Sequence, residues 1–238
     1  MEKLAGAKLA GLVLLAQVAG VFFVILLIIW TNDDDGLASF NSFEWHKLLM
    51  PISMVFLTGQ GLMVYRVFRC FSKKVAKIVH LVIFAVAFCL MVIGINVAYI
   101  NLTEHFAGPH QWLGLITIVL FTAQLLIGFL FRLWPTVPQS IGVEYHHVHK
   151  VWGLIILGFG TITAISGMTF DTDATVLLLK LCERLFVVLV AIFSFTVSVI
   201  VITPHYERSY NKTSEHQLLT ESPPKPQYGS VSGKDESF

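Results

Sequence analysis

The chain has 238 residues, of which 55% are hydrophobic and 13% are charged, and its formal net charge is +1. A soluble domain of this length does not require so much apolar sequence, and a net charge near zero gives no support to a nucleic-acid partner. The composition instead favours an all-α protein whose helices cross a membrane several times.

Six apolar stretches have the length of a membrane-spanning helix, about 20 residues. In chain order they are residues 9–30, 43–67, 76–100, 111–131, 151–170 and 185–202. The connections are short, so consecutive helices are predicted to be antiparallel neighbours. We predict one transmembrane domain over residues 1–205, with its core at 40–204. The polar residues 206–238, rich in proline and serine, are predicted to form a disordered cytoplasmic tail.

The charged residues indicate how these helices are oriented. Lysine and arginine crowd the connection between the second and third spans, whereas Asp33, Asp34 and Asp35 lie on the opposite side. Loops rich in basic residues stay in the cytoplasm. With six spans, both termini of this multi-pass membrane protein are therefore predicted to be cytoplasmic.

Four of the nine histidines stand one per helix, each near a helix end. His46 and His110 begin the second and fourth spans at the outer side. His80 and His149 begin the third and fifth spans at the cytoplasmic side. Two histidines on facing helices can hold the iron of a b-type haem from both sides, because neutral imidazole is a good iron ligand and helix bundles commonly enclose cofactors. The two levels differ by about 12–14 residues, or roughly 20 Å, which predicts two haem b.

Glycines support a flat cofactor beside two of these histidines. Gly114 follows His110 by one helical turn, and Gly153 follows His149 in the same way. Residues four positions apart share a helix face, so each glycine leaves room for a porphyrin against the backbone. We therefore predict that Gly114 and Gly153 pack against the cofactors.

Two other classes of protein remain open at this point. The histidines are also compatible with a divalent-metal or proton transporter, in which His146, His147 and His149 form a zinc cluster. The sequence lacks the midplane carboxylates and broken helices expected of such transporters. A structural membrane scaffold, which binds neither metal nor haem, is the third hypothesis.

Several motifs resemble the cytochrome b561 family over residues 40–204. They are FEWHKLLM around His46, GLMVYRVFR at 61–69, KIVH ending at His80, GPHQWLG around His110, and HKVWG from His149 with Gly167 further on. The resemblance implies a four-helix core with two haem b, held by pairing the second helix with the fourth and the third with the fifth. It also implies one-electron transfer from cytoplasmic ascorbate to monodehydroascorbate or ferric iron on the other side, in a homodimer.

The resemblance further implies an ascorbate site on the cytoplasmic side, contributed by Arg66, Lys73, Lys77 and Tyr145. Tyr145 corresponds to a family position in the loop before the fifth helix. Two arginines that flank this tyrosine in many relatives are replaced by Glu144 and His146, which weakens that side of an anion site. Lys47 stands where many relatives have proline.

Position alone gives candidates for an acceptor site on the outer side: His105, Lys47, Glu183 and Arg184. The loop before His110 is shorter than is usual in the family, so the family's outer site is not carried over.

Two short patterns in the tail bear on localisation. Residues 228–231 fit a tyrosine-based sorting pattern, and residues 215–219 resemble a dileucine signal. They favour an endosomal, lysosomal or vesicle membrane, with the plasma membrane as the alternative.

Overall fold

The structure is a computed structural model that describes residues 2–32, 42–133, 139–169 and 177–206. For some residues inside the helices the backbone alone is described, Glu144, His146 and Cys182 among them. The described residues contain helices and no strand: α1 (Glu2–Thr31), α2 (Glu44–Pro51), a π-helix (Ile52–Leu57), α3 (Thr58–Val67), α4 (Lys73–Asn101), α5 (Pro109–Leu133), α6 (Gln139–Thr169), α7 (Leu177–Ile202) and a short 3₁₀ turn (Pro204–Tyr206).

The predicted fold class is confirmed, because the described residues form six helices that are long and apolar enough to cross a membrane. They cover Gly6–Thr31, Glu44–Val67, Lys73–Asn101, Pro109–Phe131, His147–Met168 and Glu183–Ile202. The prediction for the fifth helix was too short at its start, since α6 begins at Gln139. Tyr145 therefore lies in a helix, and the prediction that it belongs to a loop was wrong. The predicted tail from residue 207 onward lies outside the described residues.

The second span consists of α2, the π-helix and α3 in direct succession. Proline has no backbone N–H and obstructs the preceding helical turn, and Pro51 ends α2 where the wider π-helix begins. The hydroxyl of Ser53 donates to the carbonyl of Ala87 on α4 at 2.6 Å. The π-helix also comes so close to α6 that a Cβ on Gly160 would lie 2.8 Å from the carbonyl oxygen of Met54. Glycine at position 160 permits this contact between backbones.

The described helices pack in three groups. α1 packs against α7, while α2, α3 and the π-helix pack against α4, and α5 packs against α6. Aromatic rings join the groups, since Phe23 of α1 lies edge-on against Phe56 of the π-helix and Phe193 of α7. Gln17 of α1 and Gln60 of α3 exchange two hydrogen bonds at 2.9 and 3.0 Å. Amide pairs of this kind hold helices together within lipid.

A buried apolar layer lies at mid-height in the four central spans. Each span contributes at least one member: Met54, Ala87, Met91, Phe121 and Ile156. Each of these spans carries one of the four histidines near one end, and the layer lies between that histidine and the other end of the span. We call these five residues the apolar layer.

Candidate functional site

The outer pair consists of His46 on α2 and His110 on α5. Their ring centroids are 6.2 Å apart, and the ring planes are close to perpendicular at 87°. Bonds between a metal and imidazole nitrogen are about 2 Å long, so two imidazoles on opposite sides of one metal have ring centres roughly 6 Å apart. The separation of this pair fits a shared iron.

The inner pair consists of His80 on α4 and His149 on α6. Their ring centroids are also 6.2 Å apart, with an angle of 59° between the planes. The structure thus brings together the two pairs of histidines named from the sequence, and their role as haem ligands stays a prediction. Because both pairs have the separation that one bridging iron requires, these residues fit two b-type haems.

Hydrogen bonds orient three of the four rings through the backbone. Nδ1 of His46 lies 3.0 Å from the carbonyl of Gly94, and Nδ1 of His80 lies 2.9 Å from the carbonyl of Gly61. Nδ1 of His110 lies 3.0 Å from the carbonyl of Thr163. A carbonyl oxygen only accepts, so in each case the ring proton resides on Nδ1. The lone pair of Nε2 is then available to a metal.

The fourth ring is oriented by side chains. Nδ1 of His149 lies 2.7 Å from the amide nitrogen of Gln124 on α5 and 3.1 Å from the hydroxyl of Tyr145 on α6. The same amide nitrogen donates to the backbone carbonyl of His149 at 2.7 Å. Gln124 was not predicted from the sequence. A polar residue within the apolar run of α5 was the available signal.

α4 and α6 each contribute to both histidine pairs. The helix that provides a ligand at one end provides a hydrogen-bond partner for another ligand at the other end: α4 carries His80 and Gly94, and α6 carries His149 and Thr163. On each helix these positions are about 14 residues apart, or roughly 20 Å. This distance agrees with the separation expected between the two haem levels.

Glycines lie directly against two of the rings. A Cβ on Gly167 would be 2.7 Å from Cε1 of His110, and a Cβ on Gly128 would be 3.2 Å from Cε1 of His149. Both approaches are closer than ordinary van der Waals contact. The two glycines therefore give the imidazoles their space.

The glycines singled out from the sequence have other neighbours. A Cβ on Gly153 would meet Leu62 at 2.9 Å, whereas one on Gly114 would come no closer than 3.7 Å to Thr163. Their contact with a porphyrin stays a prediction.

The residues predicted to contact ascorbate share the inner end of the molecule. Arg66 is buried, and its Nη2 donates to the carbonyl of Val201 near the end of α7 at 2.7 Å. Lys73 is exposed at the start of α4, and Lys77 is half-buried one turn before His80. Tyr145 is half-buried with its hydroxyl on His149. Whether these four residues bind ascorbate stays a prediction.

The four outer candidates are not brought into one described cluster. His105 is exposed and stacks on Tyr99, with ring centroids 4.5 Å apart. Lys47 forms an ion pair with Glu44 at 3.0 Å and lies 4.7 Å from the ring centroid of Trp30. Glu183 is half-buried and Arg184 exposed in α7. An acceptor site made of these residues stays a prediction.

The structure also bears on the metal-transporter hypothesis. Among the side chains that the structure describes, no three from His, Cys, Asp and Glu are grouped so that they could hold a metal ion. His147 is exposed, and the side chain of His146 lies outside the description. The described side chains thus provide no metal-binding group for this hypothesis.

Comparisons with known proteins agree with this arrangement. A family model described as eukaryotic cytochrome b561 matches residues 45–173. The transmembrane ascorbate-dependent reductase CYB561 of Mus musculus is 32% identical over 169 residues, 68% of each chain. The lysosomal membrane ascorbate-dependent ferrireductase CYB561A3 of Danio rerio is 31% identical over 165 residues, 65% of this chain and 67% of the relative.

A third relative, the plasma membrane ascorbate-dependent reductase CYBRD1 of Mus musculus, is 31% identical over 170 residues, which are 67% of this chain and 58% of the relative. In these three comparisons the matched region thus spans between 58% and 68% of the relatives' own length. The matched region contains all four paired histidines, and the resemblance noted in the sequence is confirmed: the chain belongs to the eukaryotic cytochrome b561 family.

Proposed function

We propose that this protein is a transmembrane ascorbate-dependent reductase. It takes single electrons from ascorbate on the cytoplasmic side and delivers them, through two haem b, to monodehydroascorbate or ferric iron on the opposite side. The observation that carries the proposal is the presence of two histidine pairs, each with ring centroids 6.2 Å apart, at opposite ends of the same four spans. The names of the relatives support ascorbate as the donor.

The chain contributes position and insulation to this reaction. A bound haem supplies an iron that accepts and releases one electron at a time. The imidazoles of His46, His110, His80 and His149 hold the two groups, and their hydrogen bonds fix the ring orientations. The apolar layer lies between the pairs and keeps water out of the space between them.

Basic residues at the inner end favour the donor. Ascorbate is an anion near neutral pH, and Lys73 and Lys77 place positive charge within one or two turns of His80. Arg66 adds charge from a buried position while it holds the end of α7. This end is cytoplasmic on the predicted orientation, where basic loops remain.

The names of the relatives support a proposal for the acceptor and for the membrane. One is named a lysosomal membrane ferrireductase and another a plasma membrane reductase. We propose ferric chelate or monodehydroascorbate as the acceptor and an endosomal or lysosomal membrane as the site, with the plasma membrane as the alternative. We also propose that the protein acts as a homodimer surrounded by membrane lipid.

The test is a visible absorption spectrum of the purified protein before and after ascorbate, with haem measured per chain. The proposal expects about two haems per chain and a sharp α band on reduction, as for low-spin iron between two histidines. His110→Ala is expected to lose the outer haem alone, and His149→Ala the inner haem alone. A protein without haem, or variants that lose both haems or neither, would contradict the proposed pairing.

A further inference from the structure

Three of the paired histidines donate from Nδ1 to a backbone carbonyl, whereas His149 has side chains at that atom. A backbone carbonyl is present whatever residue occupies the position. The partners of His149, Gln124 and Tyr145, are chemically specific and come from two different helices. At the outer site Nδ1 of His110 also lies 3.2 Å from the hydroxyl of Ser166, but Ser166 and Thr163 both belong to α6. The inner site thus differs in bringing side chains from two helices to one ring nitrogen.

Iron coordination decides which way these hydrogen bonds run. When Nε2 of His149 binds a metal, its ring proton resides on Nδ1, which then has to donate. The hydroxyl oxygen of Tyr145, 3.1 Å away, can accept this proton. An amide nitrogen cannot accept it. Gln124, at 2.7 Å, therefore serves a metal-bound His149 with its amide oxygen turned toward Nδ1. This rotation exchanges two groups of similar size, gives up the hydrogen bond to the backbone carbonyl of His149 and moves the amide away from that carbonyl.

The surroundings keep all three side chains in place. Gly128 lies one turn after Gln124 on α5, and a Cβ there would be 3.2 Å from the ring of His149 and 3.8 Å from the hydroxyl of Tyr145. The ring of Phe131 packs on Tyr145 with centroids 5.0 Å apart. The hydroxyl and the amide thus meet one nitrogen within a narrow, defined space.

We propose that Gln124 and Tyr145 are positioning residues that fix the tautomer and ring orientation of His149 and so set the reduction potential of the inner haem separately from that of the outer haem. This inference rests on the proposed function, in which His80 and His149 hold the inner haem. An imidazole that donates from Nδ1 to an oxygen is a more basic ligand and stabilises ferric iron, which lowers the potential. Removal of the oxygen raises it.

The experiment is a spectroelectrochemical titration of the haem-loaded, full-length protein, with haem counted per chain. Tyr145→Phe and Gln124→Leu are each expected to retain both haems and to shift the inner midpoint potential upward, with the outer potential unchanged. Gln124→Glu is expected to shift the inner potential downward, because a carboxylate is a stronger acceptor than an amide. Electron paramagnetic resonance of the ferric protein is expected to show a changed signal from the inner haem alone.

The two substitutions of Gln124 are expected to shift the inner potential in opposite directions, upward for leucine and downward for glutamate. A general loosening of the structure would not reverse the direction of the shift between these two variants. Tyr99→Phe is the matched control, since it removes a hydroxyl from an exposed ring at the outer end of α4 and leaves both partners of His149 in place; its inner potential should stay at the wild-type value. If Gln124→Leu does not accumulate, Tyr145→Phe tests the second hydrogen bond to the same nitrogen, with the tyrosine ring retained.

Potentials that stay fixed in the Tyr145 and Gln124 variants, or that move equally at both haems, would overturn the inference and leave the proposed function standing. A His149→Ala protein that keeps its inner haem would instead overturn the proposed haem pairing itself. The two failures are therefore distinguishable.

Discussion

Gly167 shows how single residues determine the outer site. A Cβ at this position would lie 2.7 Å from Cε1 and 3.1 Å from Nδ1 of His110. The ring cannot simply swing away, because its Nδ1 is held by the carbonyl of Thr163 and lies 3.2 Å from the hydroxyl of Ser166. Any side chain at 167 therefore displaces the ligand.

We expect Gly167→Ala to lower the haem content of the outer site to well below one per chain while the inner haem remains. Haem extraction and the absorption spectrum of the purified variant measure this directly. Gly158→Ala is the control on the same helix, because a Cβ there meets nothing within 4 Å. Equal haem content in the two variants would contradict the packing argument.

The basic residues of the inner end are expected to differ in their roles. Lys77→Ala should raise the ascorbate concentration needed for half-reduction by up to about fivefold, since a partly exposed ion pair contributes on the order of 1 kcal/mol. Both haems should remain bound. Lys8→Ala removes the same charge from an exposed position on α1 and should leave the ascorbate dependence unchanged. A Lys77→Ala protein with wild-type ascorbate dependence would remove this lysine from the donor site.

Arg66 is expected to act on stability as well. Its guanidinium is buried and donates to Val201, and loss of a hydrogen bond from a charged donor costs about 1.5–3 kcal/mol. Arg66→Ala should therefore lower the thermal midpoint in detergent, whereas Lys77→Ala should not. Equal midpoints for Arg66→Ala and the wild type would show that the buried contact contributes little.

The two histidine pairs could be predicted from the sequence, and the groups that orient their rings could not. Histidine is rare in apolar helices, so one histidine in each of four consecutive spans is a pattern that the sequence alone reveals. The acceptors at Gly94, Gly61 and Thr163 are backbone carbonyls, which leave no mark on residue type. Gln124 is one of several polar residues in the spans, and only the packing of α5 on α6 brings it to His149.

At the scale of elements, the π-helix of the second span is the feature that periodicity did not reveal. Six apolar runs identified the spans because bilayer thickness requires length and apolar composition alone. The widened turn depends on Pro51 together with contacts to other helices, from Ser53 to Ala87 and from Met54 to Gly160. Such contacts exist only after the helices assemble.

We expect Gly160→Ala to destabilise the protein by about 1–3 kcal/mol, the range for an overpacked interior. The clash is with the carbonyl of Met54, a backbone atom that no change of rotamer can move. Thermal unfolding in detergent, followed by loss of helical signal, measures the effect. Gly158→Ala on the same helix should unfold at the wild-type midpoint, and a Gly160→Ala protein that does the same would refute the close contact.

At the scale of the whole molecule, Cys70 can be used to test the predicted orientation in the membrane. This cysteine is exposed in the connection between α3 and α4, whereas Cys89, also exposed, lies within the third span. On the predicted orientation, an impermeant maleimide should label Cys70 once the plasma membrane alone is permeabilised. Cys70→Ser should abolish this label. Labelling that requires organelle membranes to be dissolved, or that occurs on intact cells, would reverse the orientation.

The apolar layer has a consequence for the voltage across the membrane. On the proposed function, electrons pass this layer of Met54, Ala87, Met91, Phe121 and Ile156 while the layer itself carries no ionisable group to move a compensating proton. Each turnover then separates one charge across the bilayer, and the work against the accumulated voltage is about 2.3 kcal/mol per 100 mV. The accumulated voltage would slow electron transfer and finally stop it. Sustained electron flux would therefore depend on a separate ion conductance in the same membrane.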